Sequence, residues 1–200
     1  LGWVYLLIER YDRYYCDEKV SLKRAHQEDF CQALRIVSER KYQPEGGPSL
    51  RACFALIRQQ SEIPAVDLNR LLDAVLYNYF IGNNDAHGKN FSFLYKKTPP
   101  DSRLRIHLSP LYDLVSTESY TELSKRMAMS IGGEYHSEKI SMTHFEALAT
   151  EARLSKSAVR RHLLAFADKV HSGVEDFHDG HTETAPIKSL IQKRCLRILS

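Results

Sequence analysis

Four cysteines in 200 residues, none in a C-x-x-C pair, give little for redox or metal chemistry to use: Cys16, Cys31, Cys53 and Cys195 are scattered. A chain of this length buries a core without a disulfide framework, so reduced thiols and a cytoplasmic location are expected. Long apolar runs are missing too. The first eight residues are apolar but too short for a span, lack a basic leader and run into Glu9 and Arg10, so no membrane association is expected. Neither charge is in excess, with 28 Lys and Arg interleaved among 25 Asp and Glu for a net +3, and no face stands out as a nucleic-acid footprint. No G-x-G-x-x-G occurs, and Gly132-Gly133 has the wrong context to replace it. There is no internal repeat or low-complexity tract. The chain also opens without Met, in what reads as mid-strand, so an upstream portion is expected.

What is present suits one globular domain: 43% apolar and 26% charged residues. Residues 4–8 read as a strand buried on both faces, and residues 11–22 as a connector or hairpin. Phe30, Ala33, Leu34 and Val37 recur at helical spacing and predict a first helix from Gln27, ended by Pro44, Gly46, Gly47 and Pro48. A second helix follows over about residues 50–59. After Pro64, the residues Leu68, Leu71, Leu72, Val75, Leu76 and Tyr79 form an apolar stripe opposite polar Asp67, Asn69, Arg70 and Asn78, with a stop at Gly82-Asn83-Asn84. Two apolar runs, 91–95 and 104–108, predict a hairpin broken at Ser109-Pro110. Thr143 and Glu146 have capping-box spacing for another helix. Beyond it the pattern predicts a helix over 156–170, a polar loop over 171–186 and a last helix over 187–199.

Residues 81–91 place polar side chains between a buried helix and an apolar strand, where scaffolded loops commonly carry function. Asp85 and Asn90 are five apart. In protein-kinase catalytic loops that spacing lets an Asp orient and deprotonate the acceptor hydroxyl while an Asn oxygen ligates magnesium. Magnesium needs a second hard oxygen ligand, and Asp113, returned by the hairpin, fits. The bland alternative makes Asn83, Asn84, Asp85 and Asn90 turn residues bonded to their own backbone, which accounts for Asn83 and Asn84 but not for Asp113.

Five ordered blocks carry a resemblance. They are Ile8-Glu9-Arg10-Tyr11-Asp12-Arg13, His26-Gln27-Glu28-Asp29-Phe30, Gly82-Asn83-Asn84-Asp85-Ala86-His87-Gly88-Lys89-Asn90-Phe91, Leu108-Ser109-Pro110-Leu111-Tyr112-Asp113-Leu114-Val115-Ser116 and Met127-Ala128-Met129-Ser130-Ile131-Gly132-Gly133-Glu134. In this order they resemble the C-terminal region of HipA-family serine/threonine kinases, the toxins of bacterial toxin–antitoxin modules, from about residue 6 to residue 170. The resemblance implies ATP and Mg2+ as cofactors and Asp85 as proton acceptor. It implies Asn90 and Asp113 as magnesium ligands, His87 and Lys89 beside the ATP phosphates, and Tyr112 at the nucleotide. Glu9, Arg10 and Tyr11 become hinge residues at the adenine, while Glu9 and Arg10 paired at a strand end is the structural alternative. His87 also reads as a solvated loop histidine. Residues 26–29 read as the acidic start of a helix, mainly architectural.

The expected fold is mostly α: a protein-kinase-like C-lobe with a small β-hairpin carrying the metal-binding residues, α+β overall with an N-lobe present. Residues 1–13 would be the last N-lobe strand and hinge, and residues 14–200 the helical lobe. The expected activity is phosphorylation of a protein serine or threonine, with an aminoacyl-tRNA synthetase as the target the resemblance suggests. A HipB-like helix-turn-helix antitoxin is the expected partner, with DNA reached only through it. The family's phosphate-covering loop and phosphate-pairing Lys have no counterpart in these residues, so the chain by itself is expected to be a poor kinase. Two other readings stay open: a non-catalytic module binding an antitoxin or complementary lobe, and a small-molecule phosphotransferase of the antibiotic-kinase type. His171, His178 and His181, with Asp176 and Asp179, fit no compact zinc pattern. The basic C-terminal residues Arg160, Arg161, Lys169, Lys188, Lys193, Arg194 and Arg197 read as solvated helix faces, or as a minor phosphate contact.

Overall fold

The computed structural model describes residues 7–16, 21–98, 103–178 and 184–200. Helices dominate, with three small antiparallel sheets among the described residues. Chain direction reverses first in a hairpin of β1 (Arg13–Cys16) and β2 (Ser21–Arg24), as expected for this segment. The strand expected over residues 4–8 falls partly outside the described residues. Leu7 and Ile8, within them, have no regular structure and are 97% and 68% exposed, so the buried-strand expectation fails there.

Residues 26–29 depart from expectation. They form a strand, β3 (His26–Asp29), paired antiparallel to β4 (Ser92–Thr98) with His26 opposite Tyr95 and Asp29 opposite Ser92. Helix α1 (Phe30–Ala33) is a single turn. Its period was real but too short: Asp29 and Gln32 close a capping box around the turn, and Arg35 at φ 57° leaves the helical region. Phe30 is fully buried, its ring 5.0 Å from Phe93, so the apolar spacing serves the sheet–helix junction. The predicted hairpin is present, with β4 paired to β5 (Arg103–Leu108) and Phe93 opposite Leu108.

Helices α2 (Leu50–Gln60) and α3 (Pro64–Ile81) match the sequence pattern. Ser49 caps α2 by accepting from Ala52 N, and Pro64 opens α3 where a missing N–H costs nothing. The stripe on α3 packs into the core with Phe54, Ile57, Phe145 and Leu163. Two of its polar residues, Asp67 and Asn78, are buried and not on a solvent face. Asp67 is fully buried; it accepts from Ser61 Oγ at 2.7 Å and from Leu108 N at 2.8 Å, and it pairs with Arg70, which donates to Leu108 O and Ser109 O. A buried carboxylate is tolerated only when so bonded, and here the bonds pin the end of β5 to α3.

Strand β6 (Arg126–Ile131) pairs with β7 (Glu134–His136) through Gly132 and Gly133, both at positive φ. A Cβ on Gly132 would collide with the His144 carbonyl, so this turn is tied to α4 (Met142–Glu151). Ser141, not Thr143, caps α4, with His144 as its reciprocal partner. Helix α5 (Lys156–Asp176) overruns the loop expected from residue 171, and α6 (Ala185–Leu199) follows. His171 and Asp176 are thus helical, while Asp179 and His181 lie outside the described residues. No helix among the described residues is long and apolar enough to cross a membrane. Arg194 corrects the expectation of solvated basic faces. It is 2% exposed and reaches Tyr79 O, Glu118 and Ser137 Oγ.

Candidate active site

Helix α3 ends on Gly82 at φ 76°, and a side chain there would meet Leu190 and Glu118. The chain is thereby delivered into a loop whose asparagines bond to distant segments as well as within the turn. Asn83 donates from Nδ2 to Asn78 Oδ1 at 2.9 Å and to Asp113 O at 3.0 Å, and its Oδ1 accepts from Asp85 N at 3.2 Å. Asn84 donates to Thr117 Oγ1 and Glu118 Oε2 and accepts from Ala128 N at 2.7 Å. The turn-residue reading holds in part for Asn83, whose Oδ1 takes the Asp85 N–H two residues on, and is corrected for Asn84; both also fasten this loop, Asn83 to Asp113 and Asn84 to residues 117–118 and β6.

Asp85 and Asn90 stand on the same loop, and Asn90 reaches Asp113. Asn90 Oδ1 accepts from His87 N at 3.0 Å, which directs its Nδ2 onto Asp113 Oδ2 at 2.5 Å across 23 residues of sequence. Exchanging the Asn90 amide atoms would set two donors against each other, so the hydrogen bonds determine this orientation. Asp113 sits at φ 59°, a left-handed conformation that Asp tolerates better than most residues, with its carbonyl held by Asn83. The Asp85 carboxylate is 45% exposed; Oδ1 accepts from the Tyr42 hydroxyl at 2.8 Å, and Oδ2 lies 4.0 Å from His87 Nε2. It opens into a cavity of about 240 Å³ also lined by Tyr42, Thr117, Leu123, Ser124 and Arg126.

His87 is not a solvated loop histidine. It is 6% exposed, Nδ1 has no hydrogen-bond partner, and the ring meets Tyr42 edge-on at 5.5 Å. Burial, followed by the nearby Lys41 charge, holds its pKa below the ordinary histidine value. Lys89 donates to Asp29 Oδ2 at 2.8 Å, and this bond raises its pKa. Tyr112 donates to Lys89 O at 2.6 Å and lies 2.5 Å from Ser92 Oγ; burial pushes its hydroxyl up to about 12.

The N-terminal block is built differently from the pairing considered above. Glu9 is exposed, and Arg10 turns instead to Asp12, with Nε and Nη2 each 2.9 Å from a carboxylate oxygen. Arg13 also pairs with Asp12, and Arg24 lies 3.4 Å away. Tyr11 donates to Gln27 Oε1 at 3.0 Å and stacks near Tyr112, with ring centroids 6.5 Å apart. Arg10, Arg24, Gln27, Lys89, Ser92 and Tyr112 line a second, polar cavity of about 340 Å³. One loop thus feeds both spaces, Asp85 into the first and Lys89 into the second.

The Arg10 hydrogen bond holds the Asp12 carboxyl well down, to about 2. A folded-state value below the unfolded one of about 3.9 makes the carboxylate stabilising above that pH. The expected result is a contribution fully present above about pH 4 and lost as pH falls through about 2. Urea midpoints of wild type and Asp12→Asn across that window would check it, and equal slopes would refute it.

Tyr42, Asp12, Gln27 and Asn83 escaped the sequence assignment of site residues. Asp12, Gln27 and Asn83 lie within the five blocks that carry the family resemblance. Tyr42 stood in a segment read only as a helix stop, where an aromatic before Gln43-Pro44-Glu45-Gly46-Gly47-Pro48 was its one signal.

Residues 3–174 match the family described as the HipA-like C-terminal domain. The Sinorhizobium fredii protein named "Putative kinase Y4mE" is 42% identical over 190 residues, 93% of this chain and 44% of that protein. The serine/threonine-protein kinase toxin HipA of Shewanella oneidensis is 27% identical over 213 residues, 97% of this chain and 48% of the toxin. Among solved structures, the complex of Shewanella oneidensis HipA and HipB with operator DNA matches with a TM-score of 0.82 at 25% identity, over 96% of this chain and 48% of that chain. The chain spans about half the length of the curated relatives it matches. With its fold, its loop and a family match over most of its length in agreement, the chain belongs to the HipA-like C-terminal domain family.

Proposed function

We propose that this chain is the acceptor- and metal-binding lobe of an ATP- and Mg2+-dependent kinase that phosphorylates serine or threonine in a protein. The observation that carries the reading is the Asn90–Asp113 contact, made by the same loop that presents the half-exposed Asp85 carboxylate to a cavity. Residues 1–13 serve as the end of an upstream lobe and its hinge, and residues 14–200 as the kinase-like C-lobe. The antibiotic-kinase alternative has no observation in its favour here.

The donor set suits magnesium. Asn90 Oδ1 has a second lone pair beyond the one given to His87 N, and Asp113 adds a carboxylate; magnesium commonly takes one or two protein oxygens plus substrate phosphates. When bound, the ion would neutralise charge on the phosphate oxygens. Asp85 accepts the proton of the acceptor hydroxyl. Lys89, paired with Asp29, and Arg10 and Arg24, paired with Asp12, line the polar cavity and are the cations that would turn to a nucleotide phosphate on binding. The uncharged, buried His87 stands between Asp85 and Asn90 as a donor for a phosphate oxygen. Tyr112 gives the same cavity an aromatic wall for a base, with Tyr11 stacked behind it at 6.5 Å, and exposed Glu9 is the remaining hinge candidate.

Likeness to a toxin solved with HipB and operator DNA supports a HipB-like antitoxin as partner, with DNA reached through it. An aminoacyl-tRNA synthetase is the target class proposed from the family resemblance. Calorimetry of ATP binding with and without Mg2+, on the full-length protein and on this chain, tests the centre of the proposal. Binding should require Mg2+, and Asp113→Ala should weaken it at least about tenfold, the loss of one charge-assisted contact. Failure of the full-length protein to bind would leave a non-catalytic antitoxin-binding module as the better reading.

A further inference from the structure

We infer that Tyr42 is a positioning residue for the acceptor-side base: its hydroxyl holds Asp85 Oδ1 so that Oδ2 is the oxygen left for the substrate hydroxyl. The inference rests on the kinase reading of Asp85 and adds a residue from a segment 43 positions upstream.

The bond is 2.8 Å, and the tyrosine is fixed at both ends. Its backbone carbonyl accepts from Glu45 N at 3.0 Å and Gly47 N at 2.8 Å. Gly47 permits that closure, because a Cβ there would meet Arg40 O and Tyr42 O at 2.6 Å. The next residue in the turn, Gln43, accepts through Oε1 from Ser130 N at 2.9 Å, anchoring the segment to β6. Pro48 seals the other side: a Cβ on Gly88 would approach Pro48 Cγ to 2.5 Å, so the turn and the catalytic loop pack with no room between them. The Tyr42 ring is held by the edge of His87 and by Lys41 Nζ, 4.9 Å from its centroid. Burial and the bond to Asp85 raise the hydroxyl above the ordinary tyrosine value, which keeps it protonated and donating.

A carboxylate on a loop rotates unless one oxygen is tethered, and a base out of line loses much of its effect. Tyr42 supplies that tether and walls the cavity that Asp85 faces.

The test uses the full-length protein with Tyr42→Phe, which keeps the ring and its contacts and removes one oxygen. The expected result is a kcat lowered about tenfold through the lost orientation of the base, with KM for ATP unchanged and the unfolding midpoint lowered only slightly, by one partly exposed hydrogen bond. The double variant Tyr42→Phe/Asp85→Asn should be no slower than Asp85→Asn alone, since the hydroxyl acts only through the carboxylate. A Tyr42→Phe enzyme as fast as wild type beside an inactive Asp85→Asn, or a double variant with additive losses, overturns the inference while the kinase reading stands. Wild-type turnover in Asp85→Asn removes the reading itself and the inference with it.

Discussion

Replacing Asp85 by asparagine should lower phosphoryl transfer by about 10²–10⁴-fold, the range a positioned general base contributes. Asparagine has the same shape and can still accept from Tyr42 through its amide oxygen, so the loop should keep its geometry. What it lacks is an oxygen basic enough to take the acceptor proton. The carboxylate is 45% exposed, so the change should leave unfolding within about 0.5 kcal/mol of wild type, as for substitutions that create neither a cavity nor a buried charge. Nucleotide affinity should also persist, because Asn90, Asp113 and Lys89 are untouched. Single-turnover transfer from labelled ATP, read beside calorimetry, separates the two quantities. Turnover equal to wild type would exclude Asp85 as the base. Loss of ATP binding together with turnover would make it a nucleotide ligand instead.

The second large effect concerns stability. Arg194→Met should destabilise the fold by about 3–5 kcal/mol, the cost of removing one partner from a buried ion pair. Arg194 is 2% exposed and lies over the Tyr79 ring, 5.0 Å from its centroid. It donates to Tyr79 O in the last turn of α3, to Glu118 and to Ser137 Oγ. Methionine fills part of the space but leaves the Glu118 carboxylate, 20% exposed, with Ser137 and Asn84 as hydrogen-bond donors and no cation. A protein with about 5–15 kcal/mol in total would be left marginal. Urea unfolding would read the loss as a lower midpoint at constant slope. Glu118→Gln in the same background should recover part of it, because the orphaned charge is then gone. If the double variant is no more stable than Arg194→Met, the cost lies in packing over Tyr79 and not in charge. The candidate site would feel this too, since Glu118 N donates to Gly82 O at 2.9 Å where the loop carrying Asp85 begins.

Much of this architecture was legible because its signals are local. The stripe on α3, Pro64 at its start and Gly82 at its end are one helix's own chemistry, and they read correctly. The hairpin of β4 and β5 followed from two apolar runs and a breaking Ser109-Pro110. The approach of Asn90 to Asp113 also followed, because a hairpin returns its second strand beside the start of its first. Misreadings arose where a partner far along the chain decided the outcome. Residues 26–29 carry no strong strand signal, and pairing with β4 makes them a strand despite the helical spacing that begins at Phe30. Asp67 and Arg194 look like surface charges in any helical projection, until Leu108 N and Glu118 provide buried partners.

The sequence by itself therefore determined helices α2, α3, α4 and α6, the hairpin and the family, and put Asp85, Asn90 and Asp113 forward as candidates, from period, spacing and ordered motifs. Only the tertiary structure decided which groups those residues meet: Tyr42 on Asp85, Asn83 on the backbone of Asp113, Asp29 on Lys89, and three arginines around Asp12. Hydrogen bonds and ion pairs act over about 3 Å, and no regularity along the chain records which distant segments folding will bring that close.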